Sequence, residues 1–169
     1  HNLIVCDHRS MHPPANEQRV TDQMVCFALY AAARATTQAY RSLLEPWGLT
    51  YPQYLVLVTL WVEGPQSVKA LGERMQLDSG TLSPLLARME QSGIVLRERG
   101  GSDARVVTVR TTDRGAALRA EMEGVPAAVA RGLGLADGVD GEHLLQTLHG
   151  ISASMHAVAD DPSSVLAAP

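Results

Sequence analysis

The strongest nucleophiles in the sequence are its two cysteines, Cys6 and Cys26. A thiolate attacks peroxides and disulfides, whereas the protonated thiol does so poorly. The pair is spaced neither as a Cys-x-x-Cys redox motif nor as a metal knuckle, and two cysteines are too few for a secreted disulfide scaffold. Cys26 falls in a stretch expected to be structured, so it is the candidate with surroundings that can tune it. Two readings stand side by side: a small buried hydrophobe, the commonest fate of a free cysteine, or a thiolate that an oxidant can convert to a sulfenic acid. A position about one turn into a helix helps an anion only modestly, because the dipole effect fades beyond the first turn. Hydrogen-bond donors must supply the rest.

Two other constellations bear on chemistry. His149 and His156 share a helix face with His143 nearby, but seven helical positions are about 10 Å, too far for one ion, so no metal site is expected. Ser79, Thr81, Ser83, Pro84 and Arg88 lie on the polar side of a short helix whose inner stripe is Leu82, Leu85, Leu86 and Met89. Hydroxyls and a guanidinium on such a face can reach base edges or phosphates. An outer polar face is also what any surface helix shows, and helix-turn-helix outlines occur in proteins that bind no DNA.

The elements that must position these groups follow from punctuation and period. Residues 1–19 contain Pro13-Pro14 and no sustained period, and read as a flexible tail in which Met11 is a candidate natural start. A long Ala- and Leu-rich helix should run from a cap at Thr21 or Asp22 to Leu44, before Pro46 and Gly48. A second helix is expected from Tyr51 or Pro52 to Val62, a third over Val68 to Met75, and a fourth from an Asp78 or Ser79 cap to Ser92. The period then changes: Ile94-Val95-Leu96 and Val106-Val107-Thr108-Val109 predict a hairpin around a charged loop. A helix from Thr112 or Asp113 should continue until the glycine-rich segment 132–141, and a last helix should span Glu142 to Ala159. In that helix Leu144, Leu148, Ile151, Met155 and Val158 form a seam suited to another helix.

The fold class is therefore mostly α with a small β-hairpin wing, a winged helix-turn-helix over about 66–110 flanked by helices over about 20–62 and 112–160. Residues 20–169 read as a single domain. A segment of 45 residues, 66–110, carries seven bases against five acids, and its net +2 leaves −6 for the rest of a chain whose formal charge is −4. A basic middle on an acidic body suits a DNA reader on a separate scaffold. The longest apolar run, Tyr54 to Val62, is about half the ~20 residues of a membrane-spanning helix. No secretion signal opens the chain, so a soluble cytoplasmic protein without membrane contact is expected.

Four stretches carry a resemblance to a known family: Val25-Cys26-Phe27-Ala28-Leu29-Tyr30, Leu49-Thr50-Tyr51-Pro52-Gln53-Tyr54, Leu71-Gly72-Glu73-Arg74, and Leu77 to Leu86 with the core Asp78-Ser79-Gly80-Thr81-Leu82-Ser83-Pro84. With Asp103-Ala104-Arg105 in the hairpin loop, the run from Cys26 to Thr112 resembles the MarR family of bacterial regulators. The first two stretches are similar to its organic hydroperoxide resistance (OhrR) branch. Leu-Gly-Glu-Arg and Asp-x-Arg are shared more widely in the family.

The resemblance implies a homodimer built from the N- and C-terminal helices, bound to a pseudo-palindromic double-stranded DNA operator. It implies that Arg105 enters the minor groove and that Asp103 orients it, and that the phenols of Tyr40 and Tyr51 donate hydrogen bonds to the Cys26 thiolate. Tyr40 lies fourteen positions after Cys26, which on one continuous helix is about 21 Å. The tyrosines must then come from the partner subunit. Tyr30 and Tyr54 are either further donors or core residues, with core favoured for Tyr54. At Ala87 relatives often carry a basic residue, which removes one possible contact.

With no cysteine after Cys26, the resemblance points to the one-cysteine type, in which organic hydroperoxide oxidises Cys26 and a small thiol adds as a mixed disulfide. Cys6 is read as a bystander. The expected function is a redox-sensing repressor, not an enzyme, and no cofactor is expected. The alternative keeps the DNA reader but makes the inducer a non-covalent aromatic ligand beside Trp47 and Tyr51. A thiol peroxidase built on Cys26 lacks a second structured cysteine for turnover.

Overall fold

In the computed structural model, residues 20–100 and 106–163 are described. The proposed tail 1–19 with Cys6, and the loop residues Asp103 and Arg105, lie outside them. Two compact units divide the chain, one ending at Glu123 and the other starting at Gly124.

The first long helix, α1, spans Val25–Leu44 and is preceded by a 3-10 turn over Val20–Gln23. The turn engages Thr21, whose carbonyl accepts the Met24 N–H at 3.1 Å, so Met24 rather than Asp22 becomes the helix cap. A second 3-10 turn, Glu45–Trp47, follows. Gly48 at φ 64° then reverses the chain in a conformation costly for a side chain. Helix α2, Tyr51–Glu63, begins on a capping box: the Thr50 N–H donates to the Gln53 side chain at 2.9 Å, and Pro52 occupies the first turn, where its missing N–H costs least. Tyr54, Val56, Leu57 and Leu60 bury the inner side of α2, and Tyr54 is core as expected.

The reading unit follows the predicted order. Strand β1 is Gln66–Ser67, helix α3 is Val68–Met75, and helix α4 is Ser79–Gln91. Asp78 caps α4 by accepting the Thr81 N–H at 2.9 Å, and Leu82, Leu86 and Met89 are buried beneath it. Strands β2, Val95–Arg99, and β3, Val107–Thr111, pair antiparallel with Val95 opposite Thr111 and Arg99 opposite Val107. β1 adds to the free side of β3, giving the order β1-β3-β2. Two residues are too few to show a period of two, so the third strand was not predictable from pattern.

Helix α5, Asp113–Glu121, is capped by Thr112, whose hydroxyl accepts the Gly115 N–H at 3.0 Å and donates to the Gly93 carbonyl at 2.7 Å. One hydroxyl thus ties the end of α4 to the start of α5. Replacing it in Thr112→Val keeps the shape and removes both bonds, and should lower unfolding free energy by about 1–2 kcal/mol. An unchanged urea midpoint would contradict that.

The expected uninterrupted helix from Thr112 into the glycine-rich segment is corrected. It ends at Glu121 and a separate helix, α6, spans Gly124–Gly132. Pro126 is the physical cause: inside a continuous helix its ring would meet the Met122 carbonyl, while in the first turns of a new helix it is tolerated. A 3-10 turn at Leu135–Asp137 leads to α7, Gly141–Asp160, capped by Asp140. On α7 the expected seam is only partly covered: Leu148 and Met155 are exposed, Leu144, Ile151 and Val158 are half-buried, and no residue of the helix is fully buried.

Candidate functional site

Cys26 is the second residue of α1 and is exposed. Both points differ from the simplest sequence expectations. A buried-hydrophobe role is excluded within this chain, and the sulfur lies within the first turn rather than a turn further on, because the helix starts only at Val25. The first turn is where backbone N–H groups lack helical partners and where an anion is favoured. Around it the outer face of α1 is apolar and open: Phe27 and Tyr30 are 39% and 56% exposed, with ring centroids 6.4 Å apart. The Tyr30 hydroxyl accepts a 2.9 Å bond from Arg34.

Tyr40 lies on the same unbroken helix, fourteen residues on and therefore about 21 Å along its axis. Its ring stacks on Tyr51 at 4.0 Å and 23°, with Tyr54 at 5.7 Å and the Trp61 ring edge-on to Tyr54 at 6.2 Å. The turn over Glu45–Trp47 and the Thr50 cap fold the start of α2 back onto α1, which is how residues eleven apart become stacked. Burial, with Tyr51 and Tyr54 beside it, raises the Tyr40 phenol above its ordinary pKa. It therefore remains an O–H donor at neutral pH. Neither phenol finds a hydrogen-bond partner among the described residues. The fold thus brings Tyr40 and Tyr51 together and keeps both away from Cys26 of the same chain.

A cleft of about 620 Å³ opens beside Tyr51, lined by Gln38, Arg41, Glu45 and Thr50 among others. Trp47, expected to line an aromatic pocket with Tyr51, instead donates its indole N–H to Glu121 on α5 at 3.0 Å. His143, His149 and His156 stand exposed on α7, and no metal-holding cluster occurs among the described residues.

On the reading helix, Ser79, Thr81, Ser83, Pro84 and Arg88 are all exposed, opposite the buried Leu82, Leu86 and Met89. Thr81 also serves the cap, because its N–H and hydroxyl both bond the Asp78 carboxylate, at 2.9 and 3.0 Å, and these bonds hold that carboxyl below its usual pKa. Arg88 has no acidic partner among the described residues. Arg97 and Glu90 were missed by the sequence reading. Glu90 on α4 accepts the Arg97 backbone N–H at 3.0 Å and its guanidinium at 2.6 and 2.8 Å, clamping β2 onto the reading helix. Across the hairpin Arg110 pairs with Glu98 at 2.7 Å. No spacing rule signals a helix-to-strand clamp across a turn.

Two helices joined by a turn, with a three-stranded wing beside them, define a winged helix-turn-helix fold. Residues 49–107 match the sequence profile of the MarR family. The chain is 39% identical over 135 residues to the organic hydroperoxide resistance transcriptional regulator of Bacillus subtilis (strain 168), covering 80% of this chain and 91% of that protein. It belongs to the MarR family.

A second relative, the HTH-type transcriptional regulator TtmR of Methylorubrum extorquens (strain PA1), is 54% identical over 105 residues. That match covers 62% of this chain and 54% of TtmR, about half that relative's length. Among solved structures, that of reduced AbfR bound to DNA matches with a TM-score of 0.66 and 34% identity, covering 77% of this chain and 91% of that one. Both curated relatives are named as transcriptional regulators. No helix among the described residues is long and apolar enough to cross a membrane.

Proposed function

We propose that the protein is a cytoplasmic repressor that binds a pseudo-palindromic operator as a homodimer and leaves it when organic hydroperoxide oxidises Cys26. The observation that carries this reading is the separation of two half-sites along α1: an exposed cysteine in its first turn, and about 21 Å away Tyr40 stacked on Tyr51 of α2, with both hydroxyls unused among the described residues. Two copies with α1 antiparallel would set each Cys26 against the other's Tyr40 and Tyr51. The exposed Phe27 and Tyr30 on α1, and Leu145, Leu148 and Met155 on α7, give apolar surface for such a dimer to cover.

The chemistry balances without a cofactor. The Cys26 thiolate attacks one peroxide oxygen; an S–O bond forms, the O–O bond breaks, and the departing alkoxide takes a proton to leave as an alcohol. The phenols that stabilised a thiolate then face a neutral sulfenic acid. A small thiol condenses with it, releasing water and leaving a mixed disulfide too bulky for the same packing. Such a change at a dimer seam shifts one reading head relative to the other.

On the DNA side Ser79, Ser83 and Arg88 reach bases or phosphates, with Thr81 and Pro84 on the same face. Arg105, oriented by Asp103, enters the minor groove. Arg88→Ala should weaken binding to an operator selected from random duplexes by roughly tenfold. Fluorescence anisotropy across a salt series measures it, and unchanged affinity would remove Arg88 from the interface. The sensing claim is tested by adding cumene hydroperoxide and a small thiol to the complex and following release by gel shift. The cleft beside Tyr51 supports a second reading, a non-covalent inducer, for which release would need no oxidation.

A further inference from the structure

Helix α5 is bonded at three levels. At its start Thr112 donates to Gly93, the residue between α4 and the wing. Further along, the Gly115 carbonyl accepts the Trp61 indole N–H at 2.9 Å, and Arg119, already in the last turn, donates to the Trp61 carbonyl at 3.2 Å, which joins it to the end of α2. In its last turn Glu121 accepts the Trp47 indole N–H at 3.0 Å while also pairing with Arg114. Trp47 ends the 3-10 turn between α1 and α2, four residues before Tyr51.

The two ends of α5 differ in how firmly they are held. At the start, a Cβ on Gly115 would sit 2.0 Å from the Ile94 carbonyl oxygen, so helix and wing base are in backbone contact there. The last turn is held by side chains, the buried Leu118, Arg119 to the Trp61 carbonyl and Glu121 to Trp47, of which Trp47 is the contact to the segment carrying Tyr51. A shift at one end of a stiff helix gripped at the other is felt at the grip as rotation. For α5 the grip is the junction of reading helix and wing.

We propose that Trp47 and Glu121 are positioning residues that couple the Tyr40–Tyr51 half-site to the wing, transmitting displacement of Tyr51 through the last turn of α5. The inference rests on the sensor reading above. Neither residue touches the sulfur, and neither lies on the DNA-contacting face of α4. Each subunit therefore carries its own link from the shared redox site to its own reading head.

The test compares operator affinity before and after cumene hydroperoxide with a small thiol for wild type, Trp47→Phe, Glu121→Ala and the double variant, with intact mass recorded at each step. Trp47→Phe keeps a ring and loses only the N–H donor. Expected is reduced-state affinity within about twofold of wild type and normal oxygen uptake, with the oxidised-to-reduced Kd ratio falling about fivefold or more in each single variant. The double variant should lose no more than either single one, because both break the same contact. A Kd ratio equal to wild type in both single variants overturns the coupling. Should wild type form the mixed disulfide and stay bound, the sensor reading fails and the coupling with it, an outcome the wild-type lane alone identifies. The two single variants act from different elements, so a folding defect in one leaves the other to decide.

Discussion

A Cys26→Ser variant is expected to hold its operator as tightly as wild type and to keep holding it in cumene hydroperoxide. The hydroxyl is close in size to the thiol and the position is exposed, so neither fold nor reduced-state packing should change. What is lost is a polarisable atom that can be ionised and oxidised near neutral pH. The peroxide-driven change in Kd, large in wild type, should collapse to a ratio near one. Gel shift at matched peroxide doses measures it. Release of the variant at wild-type doses would transfer the function to a non-covalent inducer or another oxidisable group.

The second large effect is on stability. Gly115→Ala should destabilise the fold by about 3 kcal/mol or more, because the new methyl would sit 2.0 Å from the Ile94 carbonyl oxygen and 3.0 Å from its carbon. Both atoms belong to the backbone leading into β2, so no side chain can rotate away. Relief must come from moving α5, which strains the bonds that Gly115 makes to Thr112 and Trp61. A drop in Tm of roughly 10 °C follows for a chain of this size. Gly132→Ala is the control: nothing lies within 4 Å of a Cβ there, and little change is expected. Equal melting of the two variants would contradict the close approach.

The same locality explains what the sequence alone could and could not show. Helix α4 was legible because its cap, its Leu82, Leu86 and Met89 stripe and its terminating glycine all lie within sixteen residues. The hairpin was legible from its β-branched runs. β1 has two residues, and only its pairing with β3 makes it a strand. The break before α6 was signalled by Gly124 and Pro126 but outweighed by the richer glycine cluster after it. Trp47 and Glu121 are 74 positions apart, and the Arg97–Glu90 clamp joins a strand to a helix. Such pairings follow from the packed fold, so periodicity cannot announce them.

The candidate site divides the same way. Cys26 and the tyrosines could be named from their types and sequence context. The stacking of Tyr40 on Tyr51, and the turn of α1 on which the sulfur falls, depend on two short 3-10 segments with no strong pattern. Those segments set where α1 begins and bring the phenols together.

Whether oxidation of one exposed sulfur releases DNA is tested most directly by intact mass spectrometry of the operator-bound protein during titration with cumene hydroperoxide. Addition of one oxygen per subunit, mapped to Cys26 and exchanged for the mass of an added thiol, should rise in step with the fraction of DNA released. Release at unchanged mass, or complete conversion of Cys26 to the mixed disulfide with the DNA still bound, would contradict it.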